Sequence, residues 1–350
     1  MRIASAVAAA FLAFVSCGSS YGGTLREDVS MPRETLVADD VAQPVIIVTV
    51  DGVMWQDVFS AAGRRQLPHL FRGATLGAPE HGSPMLASGP NFISLPGYTE
   101  LFEGRVRTGC TDNTCAGATI PTLVDEIRAQ HLNPCEVAVI TSWEPIAYAA
   151  TVQPHGIVLS AGSIIAQGNE STLKRNIDVN RAYELGRGVS AWPGHADYRP
   201  DRFTAALALA YLRIERPSMM FVGLGDTDEF AHRDDRAGYD RALHYVDGFV
   251  GSLEETLSYM GNWGKRTLIF VTSDHGRCSD FRDHGACPES ARSWMFVLGS
   301  SVTEGFISAP VPRRLADIAP TIRRLVGLPQ NALSDGVIMN EVLNAVHSVQ

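Results

Sequence analysis

Four short runs in the chain are almost wholly apolar: Val45–Val50 (VIIVTV), Glu136–Thr141 (EVAVIT), Met219–Leu224 (MMFVGL) and Leu268–Thr272 (LIFVT). None alternates cleanly between polar and apolar positions. Strands covered on both faces read this way, so the four are predicted as buried parallel strands. Between them the period changes. Tyr239, Ala242, Leu243, Val246, Phe249, Val250, Leu253 and Leu257 follow 3.6-residue spacing and predict one long amphipathic helix. Shorter helices are expected over Thr122–Ile127, Phe203–Leu212 and Leu315–Leu325. Strands alternating with helices predict an α/β fold, a doubly wound, mostly parallel sheet with helices on both faces. No repeat, low-complexity tract or linker-like shift divides residues 44–350, which read as one domain. Residues 144–200 are poor in strand signals and are expected to form a small insertion over the site.

The N-terminus has another pattern. Arg2 precedes an apolar run from Ile3 to Val15, too short to span a bilayer, and the small residues Ser16-Cys17-Gly18-Ser19-Ser20 follow. This predicts a signal peptide over residues 1–19 and an extended leader over 20–43, in an exported protein that is periplasmic or secreted. Cys17 offers a second outcome, as the lipidated first residue of a lipoprotein, although Phe14 stands where Leu is usual. No transmembrane span is expected. Export changes the meaning of the remaining cysteines: Cys110/Cys115 and Cys278/Cys287 sit close in sequence in polar loops and are read as local disulfides. Cys135 is left as a buried free thiol. The formal charge of −9, with no long run of Lys and Arg, argues against polymeric nucleic acid. A small anionic substrate stays compatible with it where metal ions supply positive charge locally.

Three of the four apolar runs end on carboxylates: Asp51-Gly52, Asp226-Thr227-Asp228 and Asp274-His275-Gly276. Ligands of an open α/β sheet bind beyond the carboxyl ends of its strands, so these groups are expected at one edge. Carboxylates that converge repel one another and need protons or cations between them. His232 lies four residues after Asp228, His275 adjoins Asp274, and His284 follows in the same Gly-containing segment. This set of Asp and His, without Cys, suits two divalent ions, with zinc the expected metal. Singly, each residue has a plainer reading, as a helix cap or a solvated side chain. Their conjunction points to a metal centre. Ser94, in the loop Gly89–Tyr98, is predicted just before a short helix, where backbone N–H groups favour a phosphate. It reads equally as a nucleophile or as a simple cap before Pro96.

In order, Asp51, the Ser94 loop, Asp228-x-x-x-His232, Asp274-His275-Gly276 and His284 resemble the alkaline phosphatase superfamily, and most the nucleotide pyrophosphatase/phosphodiesterase branch. Leu315–Pro329 is similar to a C-terminal helix of that superfamily. The resemblance implies a catalytic domain over 44–350 that hydrolyses small phosphoric esters, whether diesters or monoesters, through a phosphoseryl intermediate. It implies that Asp228, His232 and His284 hold one ion, that Asp51, Asp274 and His275 hold the other, and that Ser94 reaches this second ion as the nucleophile. Two departures follow. Where the phosphodiesterase branch has Thr-Phe-Pro-Asn, this chain has Ser94-Leu95-Pro96-Gly97, which moves the expected phosphate-holding role to Asn91 or Tyr98. Sulfatases carry Arg where Tyr98 stands, which disfavours that activity. Pocket walls are expected from residues 78–92 and 143–200. The rival readings are a sulfatase, a transferase or isomerase of the superfamily, and an inactive relative serving as an envelope ligand-binding protein.

Overall fold

The computed structural model describes residues 43–131, 133, 136–165 and 173–347. The expected signal peptide, the leader, Cys17 and Cys135 lie outside the described residues. The strands are β1 (Val45–Val50), β2 (Ala74–Leu76), β3 (Met85–Leu86), β4 (Val137–Thr141), β5 (Val158–Ala161), β6 (Ile164–Ile165), β7 (Met219–Leu224), β8 (Leu268–Thr272), β9 (Arg292–Ser293), β10 (Met295–Leu298), β11 (Gly305–Phe306) and β12 (Arg313–Arg314). Nine form one sheet in the order β11-β2-β10-β8-β1-β7-β4-β5-β6, and β12-β3-β9 form a smaller one. The centre is parallel: Val45 of β1 lies opposite Met219 of β7 and Leu268 of β8. β4 continues parallel to β7, and β5 to β4. β10 runs antiparallel to both β8 and β2, so the sheet is mixed on that side.

The side-chain period of two explains how one sheet fills two cores. Ile46, Val48 and Val50 point into a cluster with Ala208 and Leu212 of helix Asp201–Glu215 and Val246 and Leu253 of helix Arg236–Ser258. Val45 and Ile47 point the other way, toward Leu101 and Phe102 of helix Ser94–Glu103 and Ile318 and Ile322 of helix Ile318–Leu325. Each such side chain contributes roughly 1.5–3 kcal/mol of burial free energy, which is why β1 tolerates no alternation. The four predicted strands coincide with β1, β4, β7 and β8, with β4 starting one residue late. Residues 144–200 differ from the expected insertion: they supply β5 and β6 to the sheet edge as well as a wall over the site. Among the described residues no helix is long and apolar enough to cross a membrane.

Two contacts set the helices that matter for the site. Phe221 of β7 meets Tyr98 and Phe102 at ring-centroid distances of 6.4 and 4.7 Å, seating helix Ser94–Glu103 on the sheet. At the opposite face, the Asp201 carboxylate accepts the Gly225 and Asp226 N–H groups at 2.8 and 2.9 Å. These are donors that the start of helix Asp226–His232 would otherwise leave unpaired.

Candidate metal centre and cleft

β1 runs straight into Asp51, whose carbonyl accepts the Thr227 hydroxyl at 2.6 Å, tying the strand end to helix Asp226–His232. β8 runs into Asp274 and His275, both fully buried. Asp274 Oδ1 accepts the Gly52 and His275 N–H groups at 3.2 and 3.0 Å, while its buried Oδ2 has no hydrogen-bond partner among the described residues and lies 3.5 Å from His275 Nε2. Ser94 is the first residue of its helix, with Ile93 as N-cap, so the helix begins earlier than the sequence predicts. It caps nothing: its Oγ lies 3.3 Å from Asp51 Oδ1 and 3.3 Å from His275 Nε2. The helix can approach this closely because position 97 is glycine. A Cβ there would stand 2.5 Å from the Asp274 carbonyl oxygen, so no asparagine fits at the place where the phosphodiesterase branch has one.

One helical turn puts Asp228 and His232 together, with Asp228 Oδ2 3.1 Å from His232 Nε2. His284, in the loop closed by the Cys278–Cys287 disulfide, brings its Nε2 to 3.0 Å from His232 Nε2 and 3.7 Å from Asp228 Oδ1. Asp51, Asp274 and His275 present ligand atoms within 4.8 Å of one another, and so do Asp228, His275 and His284. Thus all of the expected Asp and His positions converge beside Ser94, and His275 faces both sets rather than one.

The electrostatics fit a cation. Burial first, and then the charge of Asp51, push the Asp274 carboxyl well above the usual carboxylate range. Burial alone would lower His275, yet Asp274 and Asp51 hold it up to about 9. A proton on this imidazole therefore supplies positive charge that the carboxylates lack. Burial, and then His275, push His284 down to about 3, leaving it neutral and able to ligate. Nδ1 of His275 faces the Gly276 carbonyl at 2.8 Å and Nδ1 of His284 faces that of Phe92 at 3.2 Å. A carbonyl only accepts, so Nδ1 carries the hydrogen and Nε2 of each ring is turned inward.

Two residues that the sequence reading passed over complete the site. Asn113 sits in the turn closed by Cys110–Cys115, and its Oδ1 accepts the Leu95 N–H at 2.9 Å. Arg277 is buried and ion-paired to Asp228 Oδ1. Burial opposes ionisation of Asp228, but Arg277 and then His284 hold its carboxyl well below the usual range. The two expected phosphate-holding groups are corrected. Asn91 gives its amide to the Thr111 carbonyl at 2.7 Å and does not line the cleft. Tyr98 is fully buried, its hydroxyl 3.2 Å from Asp51 Oδ2, and it supports a carboxylate rather than facing a ligand.

The centre opens into a cleft of about 520 Å³ whose lining includes Ser94, Asn113, Trp143, Asp197, Glu229 and His232. The segment 143–200 supplies a wall as expected, with Trp143 Nε1 donating to Asp197 Oδ2 at 3.0 Å. Residues 78–92 do not line it. They serve from behind, through the Phe92 backbone that holds His284 and Gly285.

Residues 204–330 match the model of the Metalloenzyme superfamily. Over 139 residues the chain is 26% identical to the 2,3-bisphosphoglycerate-independent phosphoglycerate mutase of Desulforudis audaxviator, a match covering 38% of this chain and 26% of that protein. The chain thus spans about a quarter of the length of that curated relative. Its fold is shared with a 2-O GAG sulfatase (TM-score 0.56, 13% identity, 88% of this chain and 76% of that one). It is also shared with the alkaline phosphatase PafA (TM-score 0.56, 12% identity, 86% and 99%). The family match over residues 204–330 and the shared fold support the alkaline phosphatase-like superfamily of metalloenzymes. These relatives have several activities and single out no branch.

Proposed function

We propose that the protein is a metal-dependent hydrolase of small phosphoric esters that acts through a phosphoseryl intermediate. The observation that carries this reading is the position of Ser94 Oγ, 3.3 Å from a carboxylate of one ligand set and 3.3 Å from the imidazole that faces both. Asp51, Asp274 and His275 would hold one divalent ion, and Asp228, His232 and His284 the other, with zinc suited to the donor set. Such ions neutralise phosphoryl oxygens and ease loss of the serine proton. Ser94 Oγ then bonds to phosphorus as the ester P–O bond breaks, and the alcohol leaves with a proton. Water next attacks the phosphoserine, and the Ser94 oxygen departs and regains a proton. Asn113, with Oδ1 engaged by Leu95, keeps Nδ2 as the amide donor for a phosphoryl oxygen.

A sulfatase is the second reading, favoured by Ser94-x-Pro96 and by the fold shared with the GAG sulfatase. Tyr98 weighs against it. It stands where sulfatases carry Arg, and its buried hydroxyl is spent on Asp51. Turnover of p-nitrophenyl phosphate, bis-p-nitrophenyl phosphate and p-nitrophenyl sulfate by zinc-loaded protein separates these readings. Hydrolysis of a phosphate ester, lost on chelation, is expected. Activity on the sulfate alone would transfer the assignment to a sulfatase, and turnover of none would favour a ligand-binding protein.

A further inference from the structure

Three carboxylates against two dications leave such a centre about one unit positive, a balance that suits a diester monoanion and a monoester dianion alike. Arg277 alters that balance. A guanidinium keeps its charge in proteins, and this one is sealed from water by the structure around it. All three of its nitrogens are engaged. One terminal nitrogen pairs with Asp228 Oδ1, the other donates to the Arg282 carbonyl at 2.5 Å, and Nε donates to the Phe281 carbonyl at 2.6 Å. Gly52 completes the arrangement, because a Cβ at its φ of +60° would overlap both Asp228 Oδ1 and the guanidinium. The side chain therefore cannot swing out to touch a substrate. It acts as a fixed charge behind one of the expected ligands.

We infer that Arg277 is a specificity-determining residue that biases the centre toward dianionic phosphoric monoesters over monoanionic diesters and sulfate esters. The inference rests on the phosphoryl-transfer reading above and deepens it. With Asp228 already offset by Arg277, two carboxylates remain against two dications, and the centre gains a second positive unit. The cleft wall also carries Asp197 and Glu229, but both keep contact with water, which screens them more than the sealed guanidinium. Without the guanidinium the centre would carry about one positive unit and with it about two, so each added negative charge on the ligand is more favourable with Arg277 in place.

The test is binding rather than turnover, so that it stands apart from failure of the hydrolase reading. Zinc-loaded Ser94→Ala protein is titrated calorimetrically at pH 8.5 with methyl phosphate, a dianion, and with dimethyl phosphate, a monoanion of nearly the same shape. Methyl phosphate should bind on the order of tenfold or more tighter, as one added unit charge in a poorly screened site implies. Arg277→Gln, which can still donate to a backbone carbonyl, should reduce that preference by about the same factor, and Arg277→Lys should keep most of it. A merely structural role would weaken both ligands together and leave the ratio alone. Equal affinity of the Ser94→Ala protein for the two ligands would overturn the inference even if the glutamine variant does not fold, as would an unchanged ratio in a folded glutamine variant.

Discussion

His275 is the residue on which the metal reading turns, because it faces both ligand sets and binds no cation but a proton when metal is lacking. Held up to about 9, it is protonated at neutral pH in the metal-free chain, and a metal ion must displace that proton to reach Nε2. Zinc uptake at pH 8 should therefore release about one proton or more per chain, and affinity should fall as pH falls below about 9. Calorimetry in two buffers of different ionisation heat measures the release; uptake with no proton exchanged would remove His275 from the ligand set. Asp51, Asp228, Asp274 and His275 were legible from sequence because they follow strand ends, and His232 because it lies one helical turn beyond Asp228, whereas His284 stands in a loop and was picked out by its place in the motif order. Asn113 and Arg277 were not. Asn113 reaches Leu95 only through a disulfide-closed turn folded back on the helix start, and Arg277 looks like any polar loop residue until its three nitrogens are traced.

Helix Ser94–Glu103 is the element that converts the sheet into a site. Its first turn lies against the end of β8 through Gly97, and its body rests on Phe221 through Tyr98 and Phe102. Phe221→Ala should cost about 3–5 kcal/mol of stability, as large-to-small changes at buried aromatics do. It should also reduce turnover more than Leu253→Ala, a buried change on the opposite face of the sheet. Denaturant melts and steady-state rates on both variants check this; equal rates would mean that the helix holds its place without Phe221. Strands buried on both faces gave an unbroken apolar signal, which made β1, β4, β7 and β8 readable. β5 (VLSA) breaks its run with Ser160, and β2 has three residues, too few for any period to register. The antiparallel β10 is apolar but short, and nothing in its residues states its direction.

At the scale of the whole molecule, both predicted cysteine pairs are bridged, with Cα–Cα distances of 4.9 Å for Cys110–Cys115 and 5.6 Å for Cys278–Cys287. Each closes a loop that reaches the site, the first presenting Asn113 and the second His284. Non-reducing peptide maps of exported protein should recover both links. Reduction should weaken the ion expected at Asp228, His232 and His284 roughly 10–100-fold, the usual cost of losing support behind a ligand. Full alkylation of native protein would contradict both the links and the export they suggest. Sheet, helix and loops meet at one atom, Ser94 Oγ, and the central claim is that this oxygen takes the phosphoryl group. Zinc-loaded enzyme should be quenched in acid during turnover of p-nitrophenyl phosphate and its peptides mapped by mass spectrometry. The account predicts phosphate on Ser94, none in Ser94→Ala, and turnover in that variant lower by several orders of magnitude with its metals retained. Phosphate on another residue, or an alanine variant as fast as the parent, would contradict it.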